Sequence, residues 1–194
     1  MRPLMYATLA AAGLMLTACE TTPKVSTLSE PTYEQAQNNA FNTANYNAVG
    51  ELMKRYPAAP AASSNNFSGG ADAPFIVATL VNIDQLEQSS TLGRLISEQV
   101  ASRMSQLGYG VLELKVRNGI YMKRNEGELL LTREIKEVAS THNAQAVIVG
   151  TYAESSTMVY VNLKVVNPAT SVIIAAYDYA LPMDKQIHSL IRKR

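Results

Sequence analysis

The sequence predicts a mixed α/β domain: a single mixed sheet of about five strands with helices packed on it, in the order β-α-β-α-β-β-β. Three observations carry this expectation. Phe75 to Val81 and Ala146 to Tyr152 are near-continuous apolar runs bounded by turn residues, the pattern of strands covered on both faces. Between them, two stretches place apolar residues at helical spacing. After them, Met158 to Asn167 alternates residue by residue, and Val172 to Leu181 returns across the turn Asn167-Pro168-Ala169-Thr170.

Within that frame, the run Phe75-Ile76-Val77-Ala78-Thr79-Leu80-Val81 is the first strand. Ser90 is placed to cap the helix after it, because Leu92, Leu95, Ile96, Val100, Met104 and Leu107 fall on one stripe while Arg94, Glu98, Arg103 and Gln106 fall elsewhere. Gly108 can take the left-handed conformation that ends a helix, and Gly110 releases the chain into a strand over Val111 to Val116. Strand, helix, strand over this length fits a parallel crossover. Arg117 to Gly127 is turn-like. Helical spacing resumes from Leu129 to Ala139, with Thr132 as a cap and Glu134 at the positive end of the helix dipole. In the closing hairpin, Val159, Val161, Leu163 and Val165 share the core face, and Tyr160, Asn162 and Lys164 share a face open to water or to a partner.

Ahead of the domain, the chain divides by composition. An apolar run from Pro3 ends in Leu16-Thr17-Ala18-Cys19, and Cys19 is the single cysteine of the 194 residues. The run is too short for a spanning helix, which needs about 20 apolar residues. The motif resembles the lipobox of bacterial lipoproteins. That resemblance implies a signal peptide over residues 1–18, cleavage after Ala18, and a diacylglycerol on the Cys19 sulfur, with further acylation (palmitate) because one chain anchors weakly. Glu20, where an Asp favours inner-membrane retention, points by the family-level sorting rule to the outer membrane; the periplasmic face is the expected side.

Residues 19–32 read as a flexible tether rich in Thr, Ser and Pro. Residues 33–56 read as an amino-terminal helical segment, best patterned from Asn45 to Arg55 and stopped by Pro57. The Ala, Pro, Ser, Asn and Gly of residues 57–74 read as a surface linker. The domain proper then runs over 75–182, and residues 183–194 are a basic tail expected to fray.

Composition narrows the function. With Arg2 removed by cleavage, the mature chain balances 16 basic against 16 acidic residues, which gives no reason to expect nucleic acid as a partner. His142 and His188 are the two imidazoles, and neither has a second ligand or base at a usable spacing. His142, beside Asn143, reads as a solvated helix-end residue. Gly108-Tyr109-Gly110 follows a helix and so fails the context of a phosphate loop. No catalytic residue, metal or cofactor is expected. Asp84 and Glu87, with Arg94, sit just past the carboxyl end of the first strand, where α/β sheets often bind ligands. Gly93, in the first turn of its helix, reads as a site of close packing.

Several blocks resemble the FlgO family of bacterial outer-membrane proteins. They are Val77 to Asp84, Ser90 to Arg103, Gly108-Tyr109-Gly110-Val111, Gly127 to Arg133, Ala146 to Tyr152 and Val159-Tyr160-Val161-Asn162. Leu92-Gly93-Arg94-Leu95 and the Gly127 to Arg133 block are the most specific, and the likeness covers roughly Asn45 to Leu181. The resemblance implies a non-catalytic outer-membrane protein that supports flagellum assembly or stability and motility, with other flagellar outer-membrane or ring proteins as partners. It also implies a fold similar to the amino-terminal domain of TolB and to curli-secretion lipoproteins. A periplasm-facing ligand- or glycan-binding lipoprotein using the Asp84 to Gly93 loop is the alternative reading.

Overall fold

The computed structural model describes residues 30–57, 73–86, 88–114 and 133–192. The leader, Cys19, most of the tether, most of the linker, Glu87, the segment from Lys115 to Thr132 and the last two residues lie outside the described residues. In chain order the elements are α1 (Tyr33–Gln37), α2 (Ala40–Arg55), β1 (Phe75–Val77), β2 (Val81–Asn82), α3 (Thr91–Gln106), α4 (Arg133–Thr141), β3 (Ala146–Glu154), β4 (Met158–Val166), β5 (Ile173–Pro182) and α5 (Lys185–Ile191). The sheet runs β1-β3-β4-β5, with β2 also on β3. β1 and β2 lie parallel to β3, and β3, β4 and β5 are mutually antiparallel neighbours, so the sheet is mixed and five-stranded as expected.

The first strand is split. Val77 pairs with Ile148 and Val81 with Thr151, so three residues, Ala78 to Leu80, face two on β3 and the strand bulges. The cause is steric. Leu80 fills the space above Gly150, where an added Cβ would stand 2.7 Å from Leu80 Cγ. The bulge leaves two buried backbone groups without ladder partners, and side chains around the start of α3 supply them. Leu80 N–H donates to Ser97 Oγ at 2.8 Å, and Ser89 Oγ donates to the Leu80 carbonyl at 2.8 Å.

α3 starts where expected. Ser90 Oγ accepts from Gly93 N–H at 3.2 Å, and the helix stops before Gly108, whose φ is +89°. The strand expected over Val111 to Val116 is, among the described residues, a single parallel bridge from Val111 to Phe75, with Phe75 N–H on the Gly110 carbonyl and Leu112 N–H on the Phe75 carbonyl. At the end of α4, Asn143 takes φ +49° and Ala144 N–H closes on the Ala139 carbonyl, so the left-handed position falls on the residue after His142. Thr132 and the side chain of Glu134 lie outside the described residues.

Two expectations at the ends of the domain are corrected. The helical segment ahead of the linker is part of the core: Phe41, Ala48, Val49, Leu52 and Met53 of α2 join Leu92, Ile96, Val100 and Met104 of α3 against the sheet. The reason is a stripe of apolar residues at helical spacing that only burial can satisfy. The basic tail does not fray. It forms α5, capped by Asp184 Oδ1 on Ile187 N–H at 2.8 Å, and Ile187 is 1% exposed in the same core.

A buried polar chain ties these layers together. The Tyr179 hydroxyl on β5 donates to Asn45 Oδ1 at 2.6 Å, Asn45 Nδ2 donates to Gln99 Oε1, and Gln99 Nε2 donates to Asn42 Oδ1 at 2.6 Å. Asn45 is wholly buried, so the amides of α2, which weaken it as a sequence-predicted helix, are the means by which α2 registers on α3 and β5.

Candidate functional site

The sheet is covered unequally. α2, α3 and α5 pack on one face, and α4 packs on the other through Ile135, Val138 and Ala139 against Ile76, Ala78, Val147, Val149 and Val166. The described part of α4 lies over the end of this face that carries Val147, Val149 and Val166. β3 records the boundary. Ala146 to Gly150 are all buried, and from Thr151 onward burial alternates. Along β4 the same face passes from buried Val166 to half-buried Lys164 and Asn162 and then to Tyr160, which is 56% exposed.

The end that no described helix covers forms a shallow concavity of about 440 Å³. Tyr160 stands between Ala153 on β3 and Ala180 on β5, its register partners, so small neighbours leave its ring proud of the sheet. The next row is polar: Asn162 pairs with Thr151 on one side and Asp178 on the other, and Asn162 Nδ2 donates to Asp178 Oδ1. Asn162 Oδ1 is shielded from solvent and has no donor, a polar atom the fold carries at a cost of about 1–3 kcal/mol. Ile83, 53% exposed, borders the concavity from the loop after β2.

The fold thus brings Tyr160 and Asn162 into one concave surface, with Lys164 on the same strand face toward α4. The loop candidates do not converge. Asp84 and Arg94 are both exposed; Asp84 N–H donates to Asn82 Oδ1 at 2.9 Å, and Arg94 Nη2 donates to Thr91 Oγ1 at 3.4 Å. No ion pair joins Asp84 to Arg94 among the described residues. Glu87 and Cys19 lie outside the described residues. Gly93 is close-packed: a Cβ there would collide with the Leu80 carbonyl oxygen and stand 2.7 Å from Ser89 Oγ.

Asp178, Thr151 and Ile83 escaped the sequence reading. Asp178 faces Asn162 only because the register shifts between Val165 and Val166, and Ile83 enters the site through the β1–β2 bulge; no residue pattern announces either irregularity. Among the described residues, no group of three or more His, Cys, Asp or Glu side chains could hold a metal ion. No described helix is long and apolar enough to cross a membrane. Hydrogen bonds from Lys54 and then Arg55 lower the pKa of the Glu51 carboxyl, and the other shifted groups among the described residues are phenols. Burial pushes Tyr179 far up, and burial first and then Tyr109 push Tyr56 up. Tyr152 is also raised by burial, against opposing hydrogen bonds from Ser90.

The FlgO protein family matches residues 46–186, from within α2 through the start of α5. The chain belongs to the FlgO family. No curated protein matches it by sequence. Among solved structures it is similar to the LpoB C-terminal domain from Escherichia coli, at TM-score 0.50 and 13% identity over 73% of this chain and 98% of that one. The LpoB C-terminal domain from Salmonella enterica gives TM-score 0.49 at 13% identity with the same coverage, and the NMR structure of E. coli LpoB gives 0.47 at 14% over 93% and 82%. At these identities the likeness concerns the fold. It is a single-domain mixed α/β architecture; membership of the FlgO family supports an envelope lipoprotein.

Proposed function

We propose that this FlgO-family chain is a non-catalytic lipoprotein of the outer membrane that supports flagellum assembly or stability, and so motility, by docking on other envelope or flagellar proteins. Its mooring is acylated Cys19, and its docking surface is the face of Tyr160, Asn162 and Lys164 with the adjoining edge of β5. The observation that carries the reading is the family match over residues 46–186. The exposed end of the sheet supports it: an aromatic ring standing 56% exposed, next to β5, whose outer edge pairs with no strand among the described residues, is a surface on which another polypeptide can pair and pack.

The test has two arms. Deleting the gene is expected to abolish or reduce swimming and to leave flagella absent, shortened or unstable; normal swimming with intact flagella refutes the flagellar role. Replacing Cys19 with Ala in the full chain is expected to move it from the outer-membrane to the aqueous fraction. If the wild-type chain is itself recovered unacylated from the aqueous fraction, the mooring is refuted.

A further inference from the structure

A second concavity, of about 590 Å³, lies between α2 and α3, on the helical side of the sheet and away from Tyr160. Its α2 wall is Tyr46, Asn47, Gly50, Met53 and Lys54, at the three- and four-residue spacing that puts side chains on one face, with Glu51 beside them. The other wall includes Arg103 and Leu107 of α3.

Gly50 is the informative residue. It sits in the interior of a sixteen-residue helix, where glycine costs up to about 1 kcal/mol against Ala, and neither of the usual reasons for a glycine applies. Its φ is not in the left-handed range, and an added Cβ would meet nothing within 4 Å. The domain's own packing does not require it, so the room it leaves lies open at the groove.

The walls carry excess positive charge. Lys54 pairs with the one lining carboxylate, Glu51, at 2.6 Å, and Arg103 is the second lining cation. Arg103 lies 5.6 Å from the Tyr46 ring centre and gives Nη1 to Gln106 Oε1 at 3.1 Å, while its Nε is shielded from solvent with no hydrogen-bond partner. A shielded guanidinium N–H is a strong unused donor, and a carboxylate is its best acceptor. At the rim, Leu107 is 41% exposed.

We propose that this groove docks an acidic polypeptide segment of another protein, its backbone crossing at Gly50 and a carboxylate meeting Arg103. Glycine admits a backbone that any side chain would hold off, and the cation selects an acidic segment. The proposal is independent of the flagellar reading and of the Tyr160 face.

The experiment places a photo-crosslinking amino acid at Asn47, an exposed groove residue, in the full chain made in its own cells, and maps the crosslinked peptide by mass spectrometry. The expected product is a segment of another protein rich in Asp and Glu. Its yield should fall by about tenfold or more in Gly50→Gln and in Arg103→Gln, the loss typical of an anchor residue. Gly50→Gln should leave the thermal midpoint unchanged or raised, because its side chain meets open space on a helix it favours, and this separates lost docking from lost folding. Absence of a crosslink overturns the proposal. So does a crosslink to lipid, to a second copy or to a segment without carboxylates, or a yield that both substitutions leave unchanged.

Discussion

At Gly93 and Ser97, single atoms decide whether the first strand can bulge. Gly93 has no Cβ because the Leu80 carbonyl occupies that position, and Ser97 Oγ holds the Leu80 N–H that no strand can reach. Gly93→Ala should therefore cost about 1–3 kcal/mol through overpacking against backbone. Ser97→Ala should cost about 1–3 kcal/mol by leaving a buried donor unmade. Urea unfolding checks both, and a loss under 0.5 kcal/mol in either would contradict this role. Tyr179 makes a second prediction at this scale. Its phenol lies well above the ordinary 10.0 because burial disfavours the phenolate, so the folded chain holds that proton more tightly than the unfolded one. The stability it contributes is complete below about pH 10 and drains away as pH rises above that. Tyr179→Phe should flatten the alkaline fall in stability while lowering stability at neutral pH, since Asn45 Oδ1 loses its donor. An unchanged alkaline slope would show that Tyr179 is not the group responsible.

Among the elements, α5 is where composition misled most. Lys185, His188, Arg192 and their neighbours suggest a frayed basic end, but one isoleucine and one capping aspartate are enough to seat seven residues on the core. Ile187→Ala should cost about 2–5 kcal/mol, the range for a fully buried branched side chain, against under 0.5 kcal/mol for a frayed terminus. Thermal or urea denaturation separates the two. The same element level shows what sequence could and could not supply. β3, β4, β5 and α3 were legible nearly to the residue because each has a strong apolar period and a turn or cap at its ends. The β1–β2 break was not, because Ala78, Thr79 and Leu80 continue the apolar run and its cause, Gly150, lies 70 residues on. α2 was legible as a helix but not as core, since a buried amide such as Asn45 reads as surface until Tyr179 and Gln99 arrive beside it. Of the proposed docking face, strand alternation gave Tyr160, Asn162 and Lys164, while Asp178 comes opposite Asn162 only through the register shift between Val165 and Val166, which strand alternation does not announce.

Taken whole, the molecule is a plate with a thick side and a thin side. Three helices and a polar chain through buried Asn45 hold one face of the sheet, and the described part of α4 packs on the other, so the exposed end of β3, β4 and β5 is backed by the larger hydrophobic core. A rigid backing lets a shallow surface bind without first ordering itself, which lowers the entropic cost of docking. Under the proposed function this surface is where a partner docks, and Tyr160 is its most prominent side chain. Swimming of a gene-deleted strain that carries the full chain with Tyr160→Glu tests this directly. The account predicts that the variant is made, folded and membrane-bound at wild-type levels yet fails to restore swimming. Swimming equal to that restored by the wild-type chain would contradict it.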